Sequence, residues 1–225
     1  MPRSVLFEAA SLLAAHYGPQ PQPGAVGQWT TLVRLVLEQG RSQKSDRDWS
    51  WIEDSPFSSA RETASLDVRG LAERLEAEGQ PANKAAVLHA LAEWWQQHAA
   101  DSGSPDFRGH SLEVWQAELR AIRGVSWELA DRILLFVGAL TVYPLDRGSM
   151  RIAARHGWMD MTSEYDDWQA FLVSAFRNDQ LDLVQLSRWN ARIARDFCGR
   201  LPACDECPLR SLLPPRGPIP IEEPD

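Results

Sequence analysis

Apolar residues recur at helical spacing along almost the whole chain. Val5, Leu6, Ala9, Leu12 and Leu13 form one such run, which stops at Tyr17 and Gly18. Alternating prolines and glutamines from Pro19 to Gly24 cannot be helical and predict a linker. A helix is predicted over about 29–39, with Leu32, Leu35 and Val36 inward. The stretch 45–67 is polar and broken, which predicts loops with short helical turns. Leu71 and Leu75 mark a helix ended by Gly79, and Asn83 is the predicted N-cap of a long one. That long helix places Val87, Leu88, Leu91, Trp94 and Trp95 on one face.

The second half continues the pattern. Residues 104–109 read as loop, and Leu112, Trp115, Leu119 and Ile122 as a helix. Gly124, Val125 and Ser126 interrupt it, and a second helix is predicted over 127–140. Asp146 is the predicted N-cap of a helix stopping at His156 and Gly157. Helices follow over 164–176 and 183–197, then loop beyond Pro208 and a frayed tail over 214–225. No strand alternation and no internal repeat stand out, so the predicted class is all-α.

Composition adds limits. The 225 residues suffice for one domain or two small lobes, and 44% hydrophobic with 24% charged is ordinary globular composition. No apolar run approaches membrane-spanning length, and the start at Met1 lacks a secretory pattern, so a cytoplasmic protein without membrane partners is expected. The three cysteines lie close together and do not suggest a disulfide framework. Ten tryptophans are many for this length. Trp94, Trp95 and Trp115 read as core; Trp49, Trp51 and Trp127, near loops or the interrupted helix pair, could stack on a base, with packing favoured for at least two of them.

The turn Gly124, Val125, Ser126 between two apolar helices carries the chemistry. So short a turn presents the first amides of the second helix to an anion such as a phosphate oxygen. Asp146 follows just beyond. With Leu119 and Ile122 ahead of the turn, these features resemble the helix-hairpin-helix and trailing aspartate of the endonuclease III superfamily of DNA glycosylases. The resemblance extends over most of the chain: Trp29 to Gln39 resembles the family's first barrel helix, and Asn83, Lys84 and Ala85 its lysine–alanine segment.

That resemblance implies a bilobal fold. A central helical barrel lobe over 28–140 carries the hairpin, and a second lobe is built from both termini, 1–27 and 141–213. DNA would lie in the cleft between them, with Asp146 at the lobe junction. Asp146 would activate water or stabilise the cationic sugar as the glycosidic bond breaks; as a plain N-cap it needs no other role. Bifunctional relatives carry a lysine where this chain has Glu128, and a carboxylate cannot form a Schiff base. A monofunctional glycosylase acting on double-stranded DNA with a damaged base is therefore implied, as a monomer. Glu128 beside Asp146 would make the pocket negative and suit a cationic, alkylated base.

The DNA contacts implied are Gln39, filling the gap left by a flipped base, then Arg123, Gly124, Val125, Ser126, Trp127, Arg147 and Arg151. The usual second hairpin glycine is Ser126, which can cap the second helix but adds a Cβ near the DNA backbone. Cys198, Cys204 and Cys207 resemble the family's [4Fe–4S] loop, but Leu213 stands in place of the fourth cysteine. The loop reads as degenerate and no cofactor is expected: three free thiols in a packed loop are favoured over a labile [4Fe–4S] cluster with a non-cysteine ligand or zinc with an outside ligand. The net charge of −8 opposes strong DNA binding, although Arg120, Arg123, Arg132, Arg147, Arg151 and Arg155 cluster around the hairpin and the aspartate. The alternative is a noncatalytic helix-hairpin-helix DNA-binding or interaction module.

Overall fold

The computed structural model describes residues 3–21, 24–25, 27–39, 48–159, 163–176 and 183–221. Among these it contains helices and isolated turns but no strand, only a single bridge between Ala99 and Pro105. The helices are α1 (Arg3–Tyr17), α2 (Trp29–Glu38), α3 (Ala60–Ser65), α4 (Val68–Ala77), α5 (Ala85–His98), α6 (Leu112–Ala121), α7 (Trp127–Phe136), α8 (Arg147–Arg155), α9 (Tyr165–Phe176) and α10 (Leu183–Asp196). None among the described residues is long and apolar enough to cross a membrane. The chain divides into two compact units, Gln22–Pro144 and Met1–Pro21 with Leu145–Asp225.

The unit Gln22–Pro144 is organised around α2. Leu32, Val33, Leu35, Val36 and Leu37 are all fully buried, so this helix is covered on nearly every side. Burial on so many faces places the helix inside its unit, although Thr30, Thr31, Arg34 and Glu38 interrupt its apolar surface. It packs against α5 and α7. Trp29 meets Trp95 edge-on at 5.5 Å, and Trp94 meets Trp115 at 5.7 Å, so three tryptophans of the expected core are in it. The buried Trp115 indole N–H donates to the Phe107 carbonyl at 3.0 Å, which satisfies its one polar group.

In the unit formed by both ends of the chain, α10 packs on α8 and α1. Close approach sets the α8–α10 contact. A Cβ at Gly148 would lie 2.5 Å from the Ala194 Cβ, so only glycine fits there. The Trp189 indole donates to the Gly18 carbonyl at 2.7 Å, which ties the end of α1 to α10.

Three boundaries differ from the sequence pattern. Asn83 does not cap a helix: it sits in a 3-10 turn over Ala82–Lys84 that runs straight into α5. The Lys84 amide bonds the Pro81 carbonyl and the Ala85 amide the Ala82 carbonyl, so the entering amides need no side-chain cap. α7 ends at Phe136 rather than at 140. Val137 and Gly138 amides both reach the Ile133 carbonyl, Leu140 reaches back to Leu134, and Ala139 adopts a left-handed φ of 50°. Such a closure satisfies the last carbonyls and stops the helix. The stretch from Pro214, expected to fray, is docked: the Ile219 amide donates to the Arg155 carbonyl at 2.8 Å. Residues 222–225 of that expected tail lie outside the described residues.

Candidate nucleic-acid interface

Helices α6 and α7 form the predicted hairpin. α6 stops at Ile122, Gly124 takes a φ of 93°, and Ser126 opens α7. A left-handed φ at the turn is the conformation that favours glycine. Val125 turns inward and is buried, while Arg123, Gly124, Ser126 and Trp127 are exposed. The Ser126 hydroxyl oxygen accepts from the Leu129 amide at 3.1 Å, so the expected serine cap is present. Behind the turn, the fully buried Asp131 accepts from Gln116 Nε2 at 2.8 Å and from the Arg120 guanidinium at 3.4 Å. Arg120 also lies 4.2 Å over the ring of Trp127. The two helices are thus locked by one carboxylate and one cation.

Glu128 faces Arg132 on the next turn, 3.8 Å away, and Arg132 donates to Glu38 at 3.0 Å. The position that would hold a lysine therefore carries one carboxylate of a Glu38–Arg132–Glu128 bridge. Arg132 is buried, and its charge offsets part of the acidity expected around Glu128. Gln39, just after α2, is half-buried; its Nε2 donates to Ser126 Oγ at 2.9 Å and its Oε1 accepts from Lys84 at 3.0 Å.

Asp146 belongs to the other unit, just after the chain enters it at Leu145. It caps α8: Oδ1 accepts from the Ser149 amide at 2.6 Å. Oδ2 makes no hydrogen bond among the described residues. The residue is half-buried, with Arg147 exposed next to it. Arg151 is turned to the Cys198 carbonyl.

The arginines clustered in the sequence do not all face solvent. Arg120, Arg132, Arg151 and Arg155 bind protein acceptors, whereas Arg123 and Arg147 are exposed. Their partners, Asp131, Glu38 and loop carbonyls, could not be paired with them from spacing alone.

Cys198, Cys204, Cys207 and Leu213 do line one small cavity, together with Ile152, Arg155, His156 and Leu209. Arg155 NH1 approaches Cys198 Sγ at 3.3 Å and the Gly199 carbonyl at 2.6 Å, and NH2 bonds the Arg200 carbonyl at 3.0 Å. Burial pushes the Cys204 and Cys207 thiols above their ordinary value. A [4Fe–4S] cluster normally takes four thiolates. Here the fourth wall is a leucine and a guanidinium lies against one thiol, so the donor set does not fit the group. Nor is any group of three or more His, Cys, Asp or Glu side chains among the described residues arranged to hold a metal ion. Three residues organise this loop: Arg151 and Arg155, which by sequence belonged to the basic cluster, and His156, which by sequence was only a helix stop.

A left-handed glycine turn between two locked helices, in an all-helical chain of two units, is a helix-hairpin-helix architecture. The chain has the fold of the endonuclease III-like superfamily. An endonuclease III trapped on DNA is matched with a TM-score of 0.70 and 13% identity, over 94% of this chain and 95% of that one. A 3-methyladenine DNA glycosylase of H. pylori bound to 1,N6-ethenoadenine is matched with a TM-score of 0.63 and 18% identity, over 84% and 95%. In sequence, a protein of Methanocaldococcus jannaschii named as a candidate DNA repair glycosylase is 22% identical, over 92% of this chain and 95% of the relative. No protein-family model matches the chain.

Proposed function

We propose that the chain is a DNA glycosylase of base excision repair that hydrolyses the N-glycosidic bond of a damaged base and does not nick the strand. The observation that carries this reading is the Asp146 carboxylate, which caps α8 through Oδ1 and keeps Oδ2 clear of hydrogen bonds among the described residues. Oδ2 takes a proton from water as the water oxygen bonds to C1′. The C1′–N bond breaks and its electron pair leaves with the base. The same negative charge stabilises the sugar cation on the way. Gly124, Val125 and Ser126 hold a phosphate, Trp127, Arg123 and Arg147 flank the duplex, and Gln39 enters the gap. An N-alkylated purine is the substrate class, because it departs as a neutral base without an acid. Glu128, bridged to Arg132, is a brace rather than a nucleophile. The loop around Cys198 works without a cluster, held by Arg155.

The test is base release from duplexes carrying alkylated, oxidised and deaminated bases, with strand scission scored separately. Free base with an intact strand is expected. Borohydride is expected to trap no covalent complex with abasic-site DNA, since Glu128 offers no amine; a trapped adduct would end the hydrolytic assignment. A second reading, a noncatalytic DNA-binding module, draws on the net charge of −8 and on the arginines committed to internal partners. It becomes the better one if no base is released from the whole panel.

A further inference from the structure

The end of α2 is tied down on three sides. Glu38 accepts from Arg132 at 3.0 Å, Gln39 Nε2 donates to Ser126 Oγ at 2.9 Å, and Lys84 Nζ donates to Gln39 Oε1 at 3.0 Å. All of these residues lie in the unit Gln22–Pro144. The chemistry fixes the sense of the amide. An ammonium only donates, so the side of Gln39 facing Lys84 is its oxygen. Its nitrogen then faces Ser126, whose oxygen accepts both from it and from the Leu129 amide. One hydroxyl therefore starts the second hairpin helix and holds the glutamine. A glycine at 126 would leave Nε2 without that acceptor.

We propose that Lys84 and Ser126 are positioning residues that hold the Gln39 amide in one orientation, ready for the space an extruded base leaves. The proposal rests on the reading above, in which Gln39 fills that space. An unrestrained glutamine samples many rotamers, and ordering it in the free protein removes that penalty from the binding step. Lys84 thereby serves an amide instead of a DNA phosphate. Its effect belongs to gapped duplexes and not to duplexes in general.

The experiment measures affinity for a duplex with a stable abasic-site analogue and for the intact duplex, over a range of salt. It compares the wild type with Gln39→Ala, Lys84→Met and Lys84→Arg, with melting temperatures recorded for each. Lys84→Met is expected to lower the preference for the gapped duplex on the order of fivefold, as Gln39→Ala does. Its intact-duplex affinity and salt slope stay at the wild-type values, and Lys84→Arg, which keeps the donor, restores the preference. Lys84→Ala repeats the truncation should Lys84→Met fail to fold. If Lys84→Met weakens both duplexes alike and flattens the salt slope, Lys84 is a phosphate contact and the proposal fails while the glycosylase reading stands. If Gln39→Ala leaves the preference intact, the proposal fails as well. A wild type with no preference for the gap overturns it together with the reading on which it rests.

Discussion

At the scale of single residues, Asp146 combines two roles that substitution can separate. Asparagine at 146 still accepts a bond from the Ser149 amide but has no negative charge. Asp146→Asn is expected to slow base release about a hundredfold, or roughly 3 kcal/mol. Stability should fall by no more than on the order of 1 kcal/mol. Excision rates and melting temperatures of both proteins check this; an undiminished rate would leave Asp146 a cap only. His156 gives a pH dependence. Burial pushes its imidazole below the ordinary value of 6.5, and the carbonyls of Ile152 and Leu209 oppose that shift without cancelling it. The fold therefore favours the neutral ring. As pH falls through the unfolded value, the unfolded chain takes up the proton first, and stability present above it is lost down to the lowered folded value. The melting temperature is expected to drop more between about pH 7.5 and 5.5 for the wild type than for His156→Asn, which cannot titrate. An equal drop would place the titration elsewhere. Ser126 and Asp146 were legible as caps because capping is local. The roles of Arg155 and His156 were not, because their partners lie far along the chain.

At the scale of elements, the hairpin depends on one buried charge. Removing Asp131 takes away the buried acceptor shared by Gln116 Nε2 and the Arg120 guanidinium. Asp131→Ala is expected to cost about 3 kcal/mol, read by urea denaturation. A loss within experimental error would mean that Trp127 and the apolar contacts hold the hairpin alone. Helix existence was legible for most elements, since the apolar spacing of α2, α5, α6 and α10 is unambiguous, but α3 lies in the stretch 45–67 that read as loops with short helical turns. Helix ends were less so. The stop of α7 at Phe136 depends on Ala139 accepting a left-handed φ, which nothing in an alanine announces. The 3-10 entry to α5 displaced Asn83 from the cap because the turn supplies its own acceptors.

At the scale of the whole molecule, charge bears on the DNA binding proposed above. It carries a net charge of −8, and Arg123 and Arg147 are the exposed members of the arginine cluster. DNA affinity is expected to depend only shallowly on salt. Every phosphate that a side chain no longer neutralises lowers the log–log slope by about 0.9, so Arg123→Gln with Arg147→Gln together should remove roughly 2. A slope unchanged by the double substitution would place the phosphate-binding cations at other residues. The acidic total was plain in the sequence. That most of the clustered arginines serve carbonyls and buried acids was not, because pairing over long sequence separations leaves no local trace.

The division of the chain also orders its folding in time. α1 is translated before the unit Gln22–Pro144, yet the groups that fasten it arrive last. Tyr17 Oη bonds Asp196 across 179 positions of sequence, and Gln20 exchanges hydrogen bonds with Gln185. Until α10 leaves the ribosome, Leu6, Ala9, Ala10 and Leu13 have no native cover from it. The middle unit, closed by contacts within itself, can fold while synthesis continues. Once made, α1 thus waits for its native cover until α10 is synthesised, and that interval is where a chaperone would act.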